Sequence, residues 1–222
     1  MKDAPHARDE ILARIRKNLA GAKVPPLPSA AGVPGSPKSI TTPSERLDLF
    51  VRSLEAVSGR VHRVRSVERA VRAVSSILEE TGAHELALSD GALTQQIARK
   101  LSSAVATFDG SADRTRCLRA PAGISDAQWG IAETGTLVLE SDAERHRLVS
   151  LLCPLHIALL RASTIVGSLG DALAKVARER PEAMSRAVTF ITGPSRTADI
   201  ELTLVVGVHG PQQLHVVLLE EG

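Results

Sequence analysis

The segment from Gly193 to Glu201 carries the residue types that bind a small anion. It reads GPSRTADIE and directly follows an apolar run at residues 188–192 that predicts a strand. Backbone N–H groups, hydroxyls and the planar guanidinium of Arg196 together suit a carboxylate or a phosphate. The predicted binding residues are Gly193, Ser195, Arg196 and Thr197, with Asp199 and Glu201 in support. An alternative with equal standing is that Arg196 pairs with Asp199, orders the loop and binds nothing.

A second turn, GIAETGT at residues 130–136, joins two other apolar runs. Gly135 between Thr134 and Thr136 lets the backbone turn tightly and direct its N–H groups at an anion. Glu133 just before them can act as a base, a nucleophile or a hydrogen-bond acceptor. Spacing alone favours the simpler interpretation, a tight β-turn whose threonines cap their own backbone and whose Glu133 faces water.

A third polar cluster, His209-Gly210-Pro211, separates apolar runs at residues 202–208 and 214–219. If these runs pair as a hairpin, His209 lies at its tip, where it can be an acid, a base or a ligand. The simpler interpretation is a turn residue. Arg147 upstream is a supporting cation, and His156, within an apolar run, is expected in the core. The histidines and cysteines lack metal-binding spacing, so no metal site is predicted.

Composition narrows the classes of function. The net charge is +2 and aromatic residues make up 2% of the chain, which disfavours nucleic acid as a partner. Neither a Walker loop nor a G-x-G-x-x-G turn follows a predicted strand, so nucleotide binding is not predicted. Two cysteines are too few to hold an iron–sulfur cluster alone. The longest apolar run, residues 148–160, is too short to span a bilayer, and no signal-peptide pattern precedes it. We therefore expect a cytoplasmic protein.

Helical and strand patterns alternate along the rest of the chain. Residues 42–45 form a capping box with proline at the first helical position, and a second helix is predicted over residues 66–82. Short apolar runs typical of strands lie at residues 61–64, 86–88, 104–108, 129–132, 137–139 and 188–192. This alternation indicates an α/β fold with a mostly parallel sheet flanked by helices. Because ligands of such sheets bind where strands end, we expect the turns around Glu133 and Arg196 to meet on one rim.

The sequence predicts three segments. Residues 1–21 form an N-terminal helical arm, with a narrow apolar stripe of Ile11, Leu12, Ile15 and Leu19. Residues 22–41 contain five prolines and have the composition of an extended linker. Residues 42–222 form the α/β domain. A stripe of four apolar residues favours packing of the arm on its own chain, and docking on a partner is the alternative.

Four motifs occur in order along the chain. They are GIAETGTLVL at residues 130–139, RLVSLLCPLH at 147–156, ITGPSRTADIE at 191–201 and GVHGP at 207–211. Together they resemble the signature of the lactate utilization protein C family, and the resemblance covers residues 6–220. Cys153 before Pro154 is a small departure from that pattern. The resemblance implies a lactate-utilization domain on a fold similar to the ribose-5-phosphate isomerase and CoA-transferase superfamily.

The resemblance also implies a component of a cytoplasmic system that oxidises L-lactate to pyruvate beside iron–sulfur partner proteins. No cofactor is expected on this chain. We interpret the chain as a non-redox subunit that binds a small carboxylate or phosphate. Two alternatives stay open, a stand-alone isomerase or acyl/CoA transferase that uses Glu133, by analogy of fold, and a ligand-free scaffold or regulatory subunit. The residues leave two questions open: whether the chain is a subunit of an L-lactate dehydrogenase complex, and whether it forms a homo-oligomer.

Overall fold

The computed structural model describes residues 5–20, 42–110, 112–145, 147–179, 185–198, 204–206 and 210–220. The chain divides into two compact units, Met1–Gly35 and Ser36–Gly222. The described part of the first unit is helix α1 (Pro5–Leu19), whose large apolar side chains Ile11, Ile15 and Leu19 are exposed. The predicted Pro-rich linker, residues 22–41, lies outside the described residues.

The second unit alternates helices with short strands. Its described helices are α2 (Pro43–Ala56), α3 (Val67–Thr81), α4 (Ala92–Ala98), α5 (Arg114–Cys117), α6 (Arg147–Leu152) and α7 (Leu169–Glu179). Its described strands are β1 (Arg60–Val64), β2 (Glu85–Leu88), β3 (Ala106–Asp109), β4 (Ala122–Asp126), β5 (Trp129–Ile131), β6 (Thr136–Glu140), β7 (Leu155–Arg161), β8 (Ile165–Val166), β9 (Val188–Ile191), β10 (Arg196–Ala198), β11 (Leu204–Val206) and β12 (Gln213–Leu219).

Six of these strands form a parallel sheet in the order β1-β12-β7-β4-β2-β3. One face of the sheet packs against α3 and α4, with Ile77 and Ile97 fully buried in that core. The other face packs against α2 through Phe50 and Leu54 and against β6 of a smaller sheet. The predicted α/β fold with a parallel sheet flanked by helices is therefore confirmed.

The smaller sheet has four strands in the order β8-β5-β6-β9. Strand β6 pairs antiparallel with both β5 and β9, whereas β5 pairs parallel with β8. Helix α7 covers its outer face through Ala172 and Val176. Two further strands, β10 and β11, form a separate antiparallel pair. The four-stranded sheet places the turn that contains Glu133 just before β6 and the loop that contains Arg196 just after β9.

The predicted helix starts are confirmed in detail. The Thr42 side chain accepts a hydrogen bond from the Glu45 backbone N–H at 3.2 Å, and the Glu45 carboxylate accepts from the Thr42 N–H at 3.3 Å, completing the capping box of α2. Ser66 caps α3 in the same way through the N–H of Arg69. These contacts are local, so sequence spacing is enough to predict them.

The predicted hairpin of the last two strands is wrong. Strand β11 pairs with β10, whereas β12 lies between β1 and β7 and is parallel to both. From Leu214 to Leu219 every residue of β12 is buried, which is typical of a central parallel strand covered on both faces. Strand β4 was not predicted, because Ile124 is the one β-branched residue of AGISD and the segment has no aromatic residue.

Candidate functional site

The two predicted turns lie side by side. Because β6 and β9 are antiparallel neighbours, the turn that leads into β6 adjoins the segment that leaves β9. The hydroxyls of Thr134 and Thr136 lie 2.7 Å apart, and Thr136 is also 2.7 Å from the hydroxyl of Thr192. Both turns press on the end of α2, since an added Cβ at Gly135 or at Gly193 would collide with Leu54 or Val57. The structure thus joins the two turns through a chain of hydroxyl groups.

Glu133 points its carboxylate at a helix. Its Oε1 accepts a hydrogen bond of 2.7 Å from the backbone N–H of Leu169 at the start of α7. A carboxylate at a helix N-terminus satisfies an otherwise unpaired N–H and interacts favourably with the helix dipole. Among the described contacts, none joins Glu133 to Arg196. The catalytic role predicted for Glu133 stays a prediction.

Arg196 binds the carbonyl end of α2, the same end on which the two turns press. Its guanidinium donates to the backbone carbonyl of Val57 at 3.3 Å and to the hydroxyl of Ser58. Ser58 adopts a left-handed backbone with φ of 69°, which is uncommon for a residue other than glycine. A cation is favourable at the carbonyl end of a helix, so these contacts by themselves have a structural explanation. Asp199 and Glu201, the predicted acidic partners, lie outside the described residues.

A cavity of about 250 Å³ lies beside the Arg196 guanidinium. This volume is smaller than most pockets for drug-sized molecules and suits a ligand of a few heavy atoms. The polar residues that line it are Ser58, Arg60, Arg196, Gln212, Gln213 and His215. Two of these residues are arginines, and none of the described lining residues is acidic. The cavity therefore has the charge expected for binding a small anion.

Two loops place this cavity at the amino ends of β1 and β12. The Arg196 loop leaves the carboxyl end of β9 and reaches the start of β12, where the Ser195 N–H donates to the Pro211 carbonyl at 2.8 Å. The Gln212 N–H in turn donates to the Pro154 carbonyl at 2.7 Å, tying the loop to the start of β7. The Thr134–Thr136 turn and Glu133 are not among the cavity's described lining residues.

A pair of buried or half-buried histidines lies next to the cavity, and one of them, His215, is among its lining residues. His62 Nε2 and His215 Nδ1 are 3.1 Å apart, and the two rings stack with centroids 5.2 Å apart. His215 is 1% exposed, and its Nε2 has no hydrogen-bond partner in the described part of the chain. Burial lowers the pKa of His215 to about 4, helped by His62 and Arg60, and burial also lowers the pKa of His62. Both rings are therefore neutral at pH 7.

Sequence reasoning did not find this histidine pair. The two residues are 153 positions apart and lie in different strands that become neighbours only in the folded sheet. No spacing rule connects them. The one available signal was a histidine within each of two predicted strands.

The remaining predicted residues fall in three places. Thr197 lies in β10, next to Arg196. Arg147 is exposed at the start of α6, which packs against β4 and β7. His209 lies outside the described residues. His156 is fully buried with its Nε2 2.9 Å from the Ser125 hydroxyl, which confirms it as a core histidine.

At the carboxyl edge of the large sheet, the acidic side chains form hydrogen bonds with neighbouring backbone N–H groups. Asp126 at the end of β4 accepts from the backbone N–H groups of Leu93 and Thr94 at 2.9 and 2.8 Å, which caps α4. Glu144 is 3% exposed and accepts from the Asp126 N–H at 2.9 Å. Burial, followed by the Asp126 carboxylate, raises the pKa of Glu144 to about 8. This edge therefore contains a neutral, buried carboxyl group at pH 7.

Both cysteines lie free in a buried cluster beneath α5 and α6. Burial raises the pKa of Cys153 to about 12 and also raises the pKa of Cys117, so both are thiols at neutral pH. In the described ranges, no group of three or more His, Cys, Asp or Glu side chains is placed to hold a metal ion. No helix in the described ranges combines the length and the apolar character needed to cross a membrane.

This architecture defines an α/β domain with a small cationic cavity, and comparison with known proteins identifies its family. A family model described as the LUD domain matches residues 47–219, so the chain belongs to the LUD domain family. A lactate utilization protein C of Halalkalibacterium halodurans is 30% identical over 185 residues, covering 78% of this chain and 80% of that protein. The uncharacterized protein YkgG of Escherichia coli K12 is 29% identical over 186 residues, covering 80% of each.

A solved structure has the same fold. The crystal structure of a DUF162 family protein from Deinococcus radiodurans aligns with a TM-score of 0.61 and 22% identity, covering 80% of this chain and 98% of that one. The resemblance to the lactate utilization protein C family is thus confirmed, and the chain is a lactate utilization family member.

Proposed function

We propose that this chain is a non-redox, small-anion-binding component of a cytoplasmic system that oxidises L-lactate to pyruvate beside iron–sulfur partner proteins. Family membership and the names of its relatives support the link to lactate. The two buried thiols, with raised pKa values, support a chain that carries no redox centre. The electron carriers then reside on the partners.

One observation carries the binding role, the pair of guanidinium groups of Arg60 and Arg196 on one small cavity. Arginine presents fixed, paired donors that match a carboxylate or a phosphate. Ser58 and the two glutamines supply neutral hydrogen-bonding groups around them. A three-carbon carboxylate such as lactate or pyruvate is small enough for a space of about 250 Å³.

The test compares Arg196→Ala with Arg99→Ala, a matched loss of an exposed arginine at the end of α4. We expect Arg196→Ala to weaken L-lactate binding, measured by calorimetry, at least about tenfold, because a charge-assisted hydrogen bond contributes roughly 1.5–3 kcal/mol. It should also slow growth on lactate when it replaces the chromosomal copy. Arg99→Ala should behave as the parent does.

Arg196 also binds the end of α2, so the melting temperature of each variant is measured alongside. Arg60→Ala removes the second cation without touching that helix contact and should weaken binding similarly. Unchanged lactate affinity and growth in both Arg196→Ala and Arg60→Ala would remove the anion-binding role.

A ligand-free scaffold or regulatory subunit is the second candidate, and the structural contacts of the two turns favour it. Arg196 caps α2 and Glu133 caps α7, so both side chains already serve the fold. A ligand that binds only the native state raises the melting temperature by mass action. A scaffold predicts no such rise with lactate, pyruvate or phosphate at millimolar concentrations. An isomerase or transferase that uses Glu133 would have to act through the carboxylate whose Oε1 accepts from the Leu169 N–H.

A further inference from the structure

Helices α2 and α3 end in the same capping motif, which requires one residue with a left-handed backbone. In α3 the N–H of Ala83 donates to the Leu78 carbonyl at 2.8 Å, and the N–H of Gly82 donates to the Glu79 carbonyl at 3.1 Å. Gly82 is the left-handed residue of this motif, with φ of 65°. Glycine is the usual residue there because it has no Cβ.

In α2 a serine takes the position of that glycine. The N–H of Gly59 donates to the Leu54 carbonyl at 3.0 Å, and the N–H of Ser58 donates to the Glu55 carbonyl at 2.9 Å. Ser58 has φ of 69°, and within the described part of the chain it is the one residue other than glycine with a positive φ. Because a Cβ disfavours this backbone conformation, the outlier indicates a role for the serine side chain.

The Ser58 hydroxyl contacts Arg196 at the cavity. Nη2 of Arg196 donates to this hydroxyl and to the Val57 carbonyl, the latter at 3.3 Å. A guanidinium carries N–H donors on all of its nitrogens, and those on Nε and Nη1 have no partner among the described hydrogen bonds. Ser58 and Arg196 both line the cavity. One corner of the guanidinium is therefore held, while the other donors stay available to an anion.

We propose that Ser58 is a positioning residue of the anion site, whose hydroxyl holds the Arg196 guanidinium at the cavity before an anion enters. This inference rests on the anion-binding role proposed above and adds the residue that arranges the site. A long arginine side chain has many rotamers, and ordering it during binding reduces affinity. A serine that orders it beforehand raises the affinity for any small anion.

Two substitutions separate the hydroxyl from the backbone conformation. Ser58→Ala and Ser58→Gly both remove the hydroxyl, but only glycine relieves the left-handed backbone. We expect Ser58→Gly to melt about 2–8 °C above Ser58→Ala. Both should weaken the binding of L-lactate and of inorganic phosphate equally in calorimetry, by about two- to tenfold, the effect of ordering one long side chain.

Gly82→Ser is the matched control, because it puts serine into the same motif at the end of α3, and Gly82 does not line the cavity. The variant should melt about 2–8 °C below the parent and keep the parent's affinity for both anions. Affinities that follow the melting temperatures, weaker in Ser58→Ala than in Ser58→Gly, would reduce Ser58 to a structural contact.

A double variant shows whether Ser58 acts through Arg196. In the Arg196→Ala background, Ser58→Gly should leave the remaining affinity within about twofold, since no guanidinium is left to position. Full weakening in that background would mean that the hydroxyl touches the anion itself, which overturns the positioning role. Parent affinity in both Ser58 variants, with Arg196→Ala weakened, would overturn it as well and leave the anion site intact. A parent chain that binds neither lactate nor phosphate would overturn both proposals.

Discussion

At the scale of single residues, two groups with strongly perturbed pKa values occupy opposite edges of the large sheet. His215 lies at the amino edge with a pKa lowered to about 4, and Glu144 lies at the carboxyl edge with a pKa raised to about 8. The cause is the same, because burial disfavours the charged form of either group. The consequence for stability is opposite in sign. Between pH 6.5 and 4 the unfolded chain binds protons that folded His215 does not, so stability falls as pH falls.

Glu144 provides a testable pH dependence. From its ordinary value of 4.5 up to about 8, the unfolded chain has released the proton that folded Glu144 keeps. The free energy of unfolding therefore falls as pH rises through this window, by at most about 1.4 kcal/mol per pH unit. Glu144→Gln carries no such proton, so the difference between parent and variant should change steadily from pH 5 to pH 8 in urea denaturation.

The exposed Glu55→Gln is the control and should follow the parent at every pH. Subtracting each variant from the parent also cancels the opposing contribution of His215. A constant difference between the parent and Glu144→Gln across this range would show that folded Glu144 is ionised at neutral pH.

At the scale of elements, α2 acts as the support for both turns. Gly135 has φ of 63° and lies directly against the backbone of Leu54. Gly82, at the end of α3, has almost the same φ of 65°, with no atom within 4 Å of an added Cβ. These two glycines therefore separate the cost of a left-handed backbone from the cost of close packing.

Gly82→Ala should lower the free energy of unfolding by about 1–2 kcal/mol, the usual cost of a Cβ in the left-handed region. Gly135→Ala should cost at least about 2 kcal/mol more, because its Cβ would lie 2.2 Å from the Leu54 nitrogen and α2 would have to move. Thermal unfolding measures both, at roughly 2–4 °C per kcal/mol for a chain of this size. Equal losses would mean that the turn does not press on α2.

At the scale of the whole molecule, the four apolar clusters found among the described residues lie within the second compact unit, Ser36–Gly222. Helix α1 of the first unit exposes Ile11, Ile15 and Leu19, and carries Arg16 and Lys17 in its last turn. Exposed apolar patches bordered by polar residues often mark surfaces that bind another protein. We therefore predict that the arm serves contact with a partner and that the second unit folds without it.

Deleting residues 1–35 should leave the melting temperature within about 2 °C of the parent, a change below 1 kcal/mol. It should also reduce the recovery of iron-containing partners when the tagged chain is isolated from native cells grown on lactate. A full-length chain with Ile11, Ile15 and Leu19 all changed to Ser should show the same loss if the stripe makes the contact. Undiminished recovery of iron with the shortened chain would rule out the arm as the docking element.

Features that depend on residues close together in the sequence were predicted correctly, and features that depend on distant residues were not. The capping box at Thr42 and the start of α3 at Ser66 depend on residues three positions apart, and both were predicted from spacing. Pairing of β12 with β1 joins residues more than 150 positions apart, and the local pattern predicted a hairpin instead. Arg196 was predicted as an anion-binding residue from the composition of its own loop. Arg60 and His215 could not be predicted as lining the same cavity, because they lie in other strands, away from Arg196 in the sequence.

By itself the sequence determined the alternation of helices and strands, the parallel sheet and the family, because each is written in local periodicity or in ordered motifs. The tertiary structure alone decided that β12 lies between β1 and β7 and that His62 meets His215. It also turned Glu133 toward α7 and set Arg60 opposite Arg196 on one cavity. The physical reason is that strand order follows from burying apolar faces and pairing backbone edges across long separations, which no neighbouring residues encode.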